Sequence, residues 1–261
     1  MEEWSSDVLA RLGDSQDECM SEIYRDVGVV LRTYKLREAD RIIVIHTRDN
    51  GKVRAVAKGV RKTKSKFGAR LEPMSHVSLQ LYRGRELDIV TQAESVEPLA
   101  PMLSSLDRAS QGLAVLEAAD QFSLEREPNP RLYQMIVGVL RTIAQKPSPL
   151  NVPAFYWKLL AHEGVRPQLE ECVRCGESGP ETQLVAFDLN EGGVLCRSCR
   201  SGQSISPGAL DLLRNILGGR LAYALAQEES SITHEVSGLA TRALEFHIER
   251  RLKAIAMFEA H

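Results

Sequence analysis

RIIVIHTRDNGKVRAVA, Arg41 to Ala57, decides the fold. Arg41–Thr47 is an apolar, β-branched run, and Asp49-Asn-Gly51 is a tight-turn signal. Lys52–Ala57 then alternates polar and apolar residues, as a half-buried strand must. Working outward, Tyr24–Tyr34 is rich in β-formers, and Val77–Tyr82 alternates again. Arg83-Gly-Arg-Glu86 makes a turn, and Leu87–Gln92 closes the set. Five short strands in so little chain point to a small closed barrel of OB type, with an SH3-like barrel as the other arrangement of similar spacing.

After Pro98 and Pro101 the period changes to that of helices. Leu106–Leu124 places Leu113, Leu116 and Ala119 to Phe122 on one face, and ends at Pro128-Asn-Pro130. Arg131–Gln145 follows, broken by Lys146-Pro-Ser-Pro149. Asn151 is the expected cap of a helix over Pro153–Glu163, and Ser206 that of a helix to Leu217. A last helix is expected from about Thr233 to Phe258. The fold class is therefore α+β: an OB-type barrel over 21–98, then a helical bundle over 99–261. A cysteine module, 168–205, is inserted between helices of that bundle.

Residues 1–20 carry one Arg against six acids and only a short amphipathic piece (Trp4, Val8, Leu9, Leu12). They are expected to form a disordered acidic extension, unless translation begins at Met20. Cys19 has no cysteine partner nearby and is incidental. No apolar run reaches the ~18 residues that span a bilayer, and the N-terminus has no secretory h-region. A cytoplasmic chain follows from this, and five cysteines in a reducing compartment favour metal or free thiol over disulfides.

Cys172-x2-Cys175 and Cys196-x2-Cys199 are separated by twenty residues, with Gly176 after the first pair and Gly192-Gly193 before the second. Each Cys-x2-Cys turn lets two thiolates converge on one tetrahedral ion. Leu184–Leu189 and Gly193–Leu195 supply a hairpin between the pairs, in zinc-ribbon fashion. Four thiolates close the coordination sphere, whereas a catalytic zinc keeps one position open. One structural zinc is expected. A deaminase would need His-x-Glu ahead of Pro-Cys-x-x-Cys. Here His247-Ile-Glu249 follows both cysteine pairs and Glu171 precedes Cys172, so order and flank are wrong. No P-loop, Gly-x-Ser-x-Gly or His-Glu-x-x-His motif is present, so no enzyme is indicated.

The net charge of −2 conceals a segregation: residues 21–98 hold sixteen Lys and Arg against ten acids. Within them, 52–70 contains Lys52, Arg54, Lys58, Arg61, Lys62, Lys64, Lys66 and Arg70 and no acid. A cationic strand followed by a cationic loop between Gly59 and Gly68 suits the phosphate backbone of nucleic acid, without sequence readout. Phe67 either stacks on a base or closes the barrel core.

Further residues carry a resemblance: Gly28-Val-Val-Leu31, Glu38-Ala-Asp-Arg41, Asn50-Gly-Lys52, Ala57-Lys-Gly-Val-Arg61, Leu71-Glu-Pro73 and Leu81-Tyr-Arg-Gly84. With a helical remainder and a four-cysteine insertion, the chain resembles the RecO family of bacterial recombination mediators, over about 20–258. Tyr34-Lys-Leu-Arg37 departs from the family, which often has a glycine there. The resemblance implies a non-enzymatic DNA-repair protein of the RecF-type pathway, cytoplasmic and nucleoid-associated. It implies binding of single- and double-stranded DNA, strand annealing, and assistance to RecA loading with RecR and the single-strand-binding protein. From the residues alone, a zinc-ribbon adaptor meeting protein or RNA in transcription or translation is the alternative.

Overall fold

The computed structural model describes residues 23–62, 65–98, 100–179 and 181–252. The acidic extension 1–20, Lys64 and the expected end of the last helix at Phe258 lie outside the described residues.

Five strands build a closed barrel: β1 (Ile23–Lys35), β2 (Arg41–Thr47), β3 (Gly51–Ala57), β4 (His76–Tyr82) and β5 (Asp88–Ser95). The long β1 serves two neighbours. Its first half pairs antiparallel with β4, its second half with β2, and the register shifts between Val30 and Arg32. The barrel closes through a short parallel contact of β3 with β5, Ala55 opposite Asp88. This order is that of an OB-fold, which settles the choice against the SH3-like arrangement. Gly28 is required where β1 meets β2, because a Cβ there would lie 2.6 Å from Ile45 and 2.9 Å from the His46 carbonyl.

Period-two alternation sends Val30, Ile43, Ile45, Val53, Ala55, Leu79, Leu81 and Val90 into the barrel. Phe67 and Leu71, on a 3-10 turn at Gly68–Leu71, complete that core. Phe67 is 1% exposed, so of its two readings the core one holds. β2 is buried along almost its whole length because its outer side is also covered. Val44 joins Val29, Leu31 and Met74 in a second core that belongs to the helices.

The helices are α1 (Leu106–Phe122), α2 (Pro130–Gln145), α3 (Asn151–His162), α4 (Pro207–Leu217), α5 (Leu221–Leu225) and α6 (Ser231–Ile248). Asn129 caps α2 and Ser206 caps α4, each accepting from a backbone amide of the first turn. Three expectations need correction. Leu113 lies on the outer side of α1 and is 42% exposed, whereas Ala114, Val115, Leu116, Ala118 and Ala119 are buried. Asn151 is not a cap: it begins α3 and donates to Gln111 Oε1 at 3.1 Å, while Leu150 occupies the cap position without a side-chain bond. The last helix starts at Ser231 behind a capping box of Ser230 and Thr233. It stops at Ile248, where Glu249 turns left-handed (φ 53°).

The chain leaves the bundle after α3 and re-enters at α4. Between them β6 (Leu184–Asp188), β7 (Gly193–Cys196) and β8 (Gln203–Ser204) form a small sheet in the order β7-β6-β8. Its apolar side is part of the helical core, with Phe187 edge-on to the buried Trp157 at 5.9 Å.

Candidate metal centre and nucleic-acid interface

The insertion folds around its two cysteine turns. Gly176, left-handed at φ 74°, donates to the Cys172 carbonyl at 2.8 Å, and Cys199 N–H donates to the Cys196 carbonyl at 3.2 Å. Both turns thereby aim their thiols inward. β7 delivers Cys196, and the pairing of Val173 N–H with the Val194 carbonyl at 3.0 Å brings the first turn beside it. The four sulfurs lie within 4.8 Å of one another, and Cys175 and Cys196 are 3.8 Å apart. A tetrahedron with bonds of ~2.3 Å has edges of about 3.8 Å, so the space fits one ion of the size thiolates bind. Crowding also divides the protons unevenly. Backbone amides bring Cys172 down to about 6 against the opposing effect of burial, and the hydrogen bond with Cys175 pushes Cys199 up to about 12. A cation at the centre would let all four ionise.

Around the cluster, Arg174 pairs with Glu191 and donates to the Cys199 carbonyl and to Ser201 Oγ, each at 3.0 Å. Ser201 in turn donates to Asp188 at 2.8 Å, holding that carboxyl below its usual range. Cys175 is exposed and Cys172 and Cys196 are buried. His247 and His162 stand apart from the cysteine cluster: His247 stacks on Phe122 with centroids 5.6 Å apart, and His162 meets Asn129 at 3.2 Å.

The basic segment divides into two parts. Lys52 and Arg54 do share one face of β3, but that face looks toward the helical domain. Lys52 Nζ donates to the Asp120 carbonyl (2.8 Å) and to Asp120 Oδ1 (3.1 Å) near the end of α1. Arg54 reaches Glu125 at 3.5 Å. Lys58, Arg61, Lys62, Lys66 and Arg70 are exposed on the loop between β3 and β4. That loop is joined to the β1–β2 loop: Gly59 N–H donates to Asp40 Oδ1 (2.7 Å) and Arg61 N–H to the Ala39 carbonyl (3.0 Å). Arg61 also donates to the Glu38 carbonyl, and Lys66 to that of Thr91, both at 2.9 Å.

Sequence reasoning missed the polar seam between barrel and helices. Asp120, 6% exposed, takes Arg32 (3.1 Å) as well as Lys52. Asp88, fully buried, takes two bonds from Arg126 (2.7 and 3.0 Å) and one from the Tyr24 hydroxyl. His46 meets Ser123 Oγ at 2.9 Å, and His76 meets the Tyr133 hydroxyl at 2.8 Å. Burial holds both imidazoles below their ordinary value. The available signal was a charged or polar residue inside an apolar strand, as at His46 in Ile-Val-Ile-His-Thr.

Two family models match the chain: recombination protein O N terminal over residues 20–99 and recombination protein O C terminal over residues 103–255. The second alone spans more than half of the chain. Among the described residues no helix is long and apolar enough to cross a membrane. An OB-type barrel, a helical domain with a four-cysteine cluster able to hold a metal ion, and the two matches agree: the chain belongs to the recombination protein O (RecO) family of DNA-repair recombination mediators.

Proposed function

We propose that this chain is a non-enzymatic mediator that binds single- and double-stranded DNA through phosphates and anneals complementary strands. On the same reading it assists RecA loading with RecR, meets the single-strand-binding protein, and works in the cytoplasm at the nucleoid. The observation that carries it is the exposed row Lys58, Arg61, Lys62, Lys66 and Arg70 on a loop of an OB barrel. Lys64, between them in sequence, adds its charge. Cations on a loop neutralise phosphate and release counterions whatever the sequence, and lowering the repulsion of two backbones is the physical task of annealing. The ion proposed for Cys172, Cys175, Cys196 and Cys199 is one structural zinc, on the chemistry of four thiolates. Bound zinc would supply only cross-linking of the insertion, since four thiolates leave no position for water or substrate.

The test is to neutralise Arg61, Lys62, Lys64 and Lys66 together and to measure binding across a salt series, with annealing by the pure protein alongside. Each lost phosphate contact lowers the log–log salt slope by roughly 0.7 on single strands or about 0.9 on duplex. Not all four side chains reach phosphate at once, so a total change of about 2 to 3 is expected. Annealing falls in parallel. Wild-type affinity and slope in the variant would remove the loop from DNA contact, and preference for RNA over DNA would favour the adaptor reading.

A further inference from the structure

OB-folds commonly bind oligonucleotides across the outer face of their second and third strands, where aromatic side chains stack on bases. In this chain that face is closed. Val44 lies in the helical core, and His46 is held by Ser123. Lys52 is held by Asp120. Residues 124–126 run along β3, with Lys52 N–H on the Leu124 carbonyl and Arg126 N–H on the Lys52 carbonyl, both at 3.0 Å. A strand of DNA has no path there unless the helices leave.

One open part of the barrel is the edge where the β1–β2 and β3–β4 loops are bonded together. Lys35 at the end of β1 and Arg37 on the first loop are exposed and extend the row of Lys58, Arg61, Lys62, Lys66 and Arg70 on the second. The acids of the first loop are Glu38 and Asp40, and Asp40 is occupied by the Gly59 amide. Over 35–41 and 58–71 the only aromatic residue is Phe67, which is 1% exposed inside the barrel. Tyr34 is packed on the helical core with Arg32 over its ring. Tyr24 and Tyr82 stand on β1 and β4, outside these two loops: the Tyr24 hydroxyl bonds Asp88 with Arg83 over the ring, and Tyr82 pairs with Ile89. The two loops thus offer cations without an exposed aromatic side chain of their own.

We infer that DNA is gripped along this two-loop edge by its phosphates alone, with Lys35 and Arg37 as further contacts, and that the bases stay unstacked from protein and free to pair. The inference rests on the DNA-binding reading above and gives it a route. A grip of this kind suits annealing, because a base held against a ring must first be released before it can meet its complement.

The test compares a twenty-nucleotide single strand with an abasic strand of the same length and phosphate count, using the full-length wild-type protein. Equal affinity within about twofold is expected. K35Q/R37Q should lower the salt slope on single strands by about 1 to 1.5, with unchanged melting because both side chains are exposed. Abasic DNA bound tenfold or more weakly would mean that bases are stacked, and would overturn the inference while leaving DNA binding intact. A salt slope unaltered in a folded K35Q/R37Q protein would overturn it equally. If that variant fails to fold, the abasic comparison decides alone. Failure of wild-type protein to bind either strand would instead remove the proposed function itself.

Discussion

Lys52→Met separates a structural lysine from a DNA-binding one. Its side chain is 15% exposed, and that of its partner Asp120 is 6% exposed. The ammonium makes two contacts, at 2.8 and 3.1 Å, and one of them is to a carbonyl in the last turn of α1. There the helix leaves carbonyls unpaired and favours a cation. Removing one partner of a buried ion pair costs 3–5 kcal/mol. Arg32 remains on Asp120 Oδ2 at 3.1 Å, and methionine keeps the packing of the stem, so a loss of about 2–3 kcal/mol is expected. For a chain this long, ~1 kcal/mol moves the midpoint by about 2 °C, which predicts a fall of about 4–6 °C. Urea unfolding and a thermal scan measure it, with a salt series of DNA binding on the same preparation. The salt slope should hold at the wild-type value. Unchanged melting together with a slope reduced by about 0.7 to 0.9 would show the ammonium on phosphate and refute the Asp120 contact.

Cys196→Ser should lower bound metal from about one ion per chain and destabilise the insertion, because three thiolates leave the site open; full metal content by atomic absorption with normal melting would rule out the four-thiolate centre. Phe67→Ala should cost about 3–5 kcal/mol, because a fully buried ring leaves a cavity in the barrel. A loss below about 1 kcal/mol in urea unfolding would place the ring outside the core. His46 and His76 are both held below the usual value near 6.5 by burial. The unfolded chain therefore takes up protons first as pH falls, and stability is lost from about pH 6.5 downward, toward the lower folded values. Calorimetry between pH 7.5 and 5.5 should show this decline, and the double variant His46→Gln, His76→Gln should flatten it. An equal slope in the variant would assign the decline to other groups.

The barrel was legible because its strands are short and alternate, and because Asp49-Asn-Gly51 marks a turn whose left-handed Gly51 (φ 63°) admits little else. The metal cluster was legible because Cys-x2-Cys brings two ligands together by local geometry, and a hairpin brings the pairs together. What escaped depends on distance. Nothing near Lys52 in sequence announces Asp120, sixty-eight residues away, so a cation in an acid-free run looks like a solvated one. Leu113 follows a helical period consistent with either side of α1, and only the docking of α1 on α2, α3 and β1 decides which side is inside. α5 is five residues long between Gly218-Gly219 and Gln227, too short for periodicity to register. The end of α6 at Ile248 is set by left-handed Glu249 with its backbone bonded to the Glu245 and Phe246 carbonyls, at a residue type that carries no stop signal.

The strip at 124–126 bears on how fragments of this protein would behave. Strand β3 meets β5 only from Ala55 onward, so its earlier residues have a sheet edge that the linker before α2 covers. Gly51 is pressed against the same linker, since a Cβ there would lie 1.9 Å from the Glu127 carbonyl. A barrel expressed alone, ending near residue 98, would lose that cover. It would also lay bare Val29, Leu31, Val44 and Met74 on its outer side. An uncapped edge beside an apolar patch invites self-association. Such a fragment would expose the very strand face that the intact chain hides, and its affinity for nucleic acid would describe a surface the full protein does not offer.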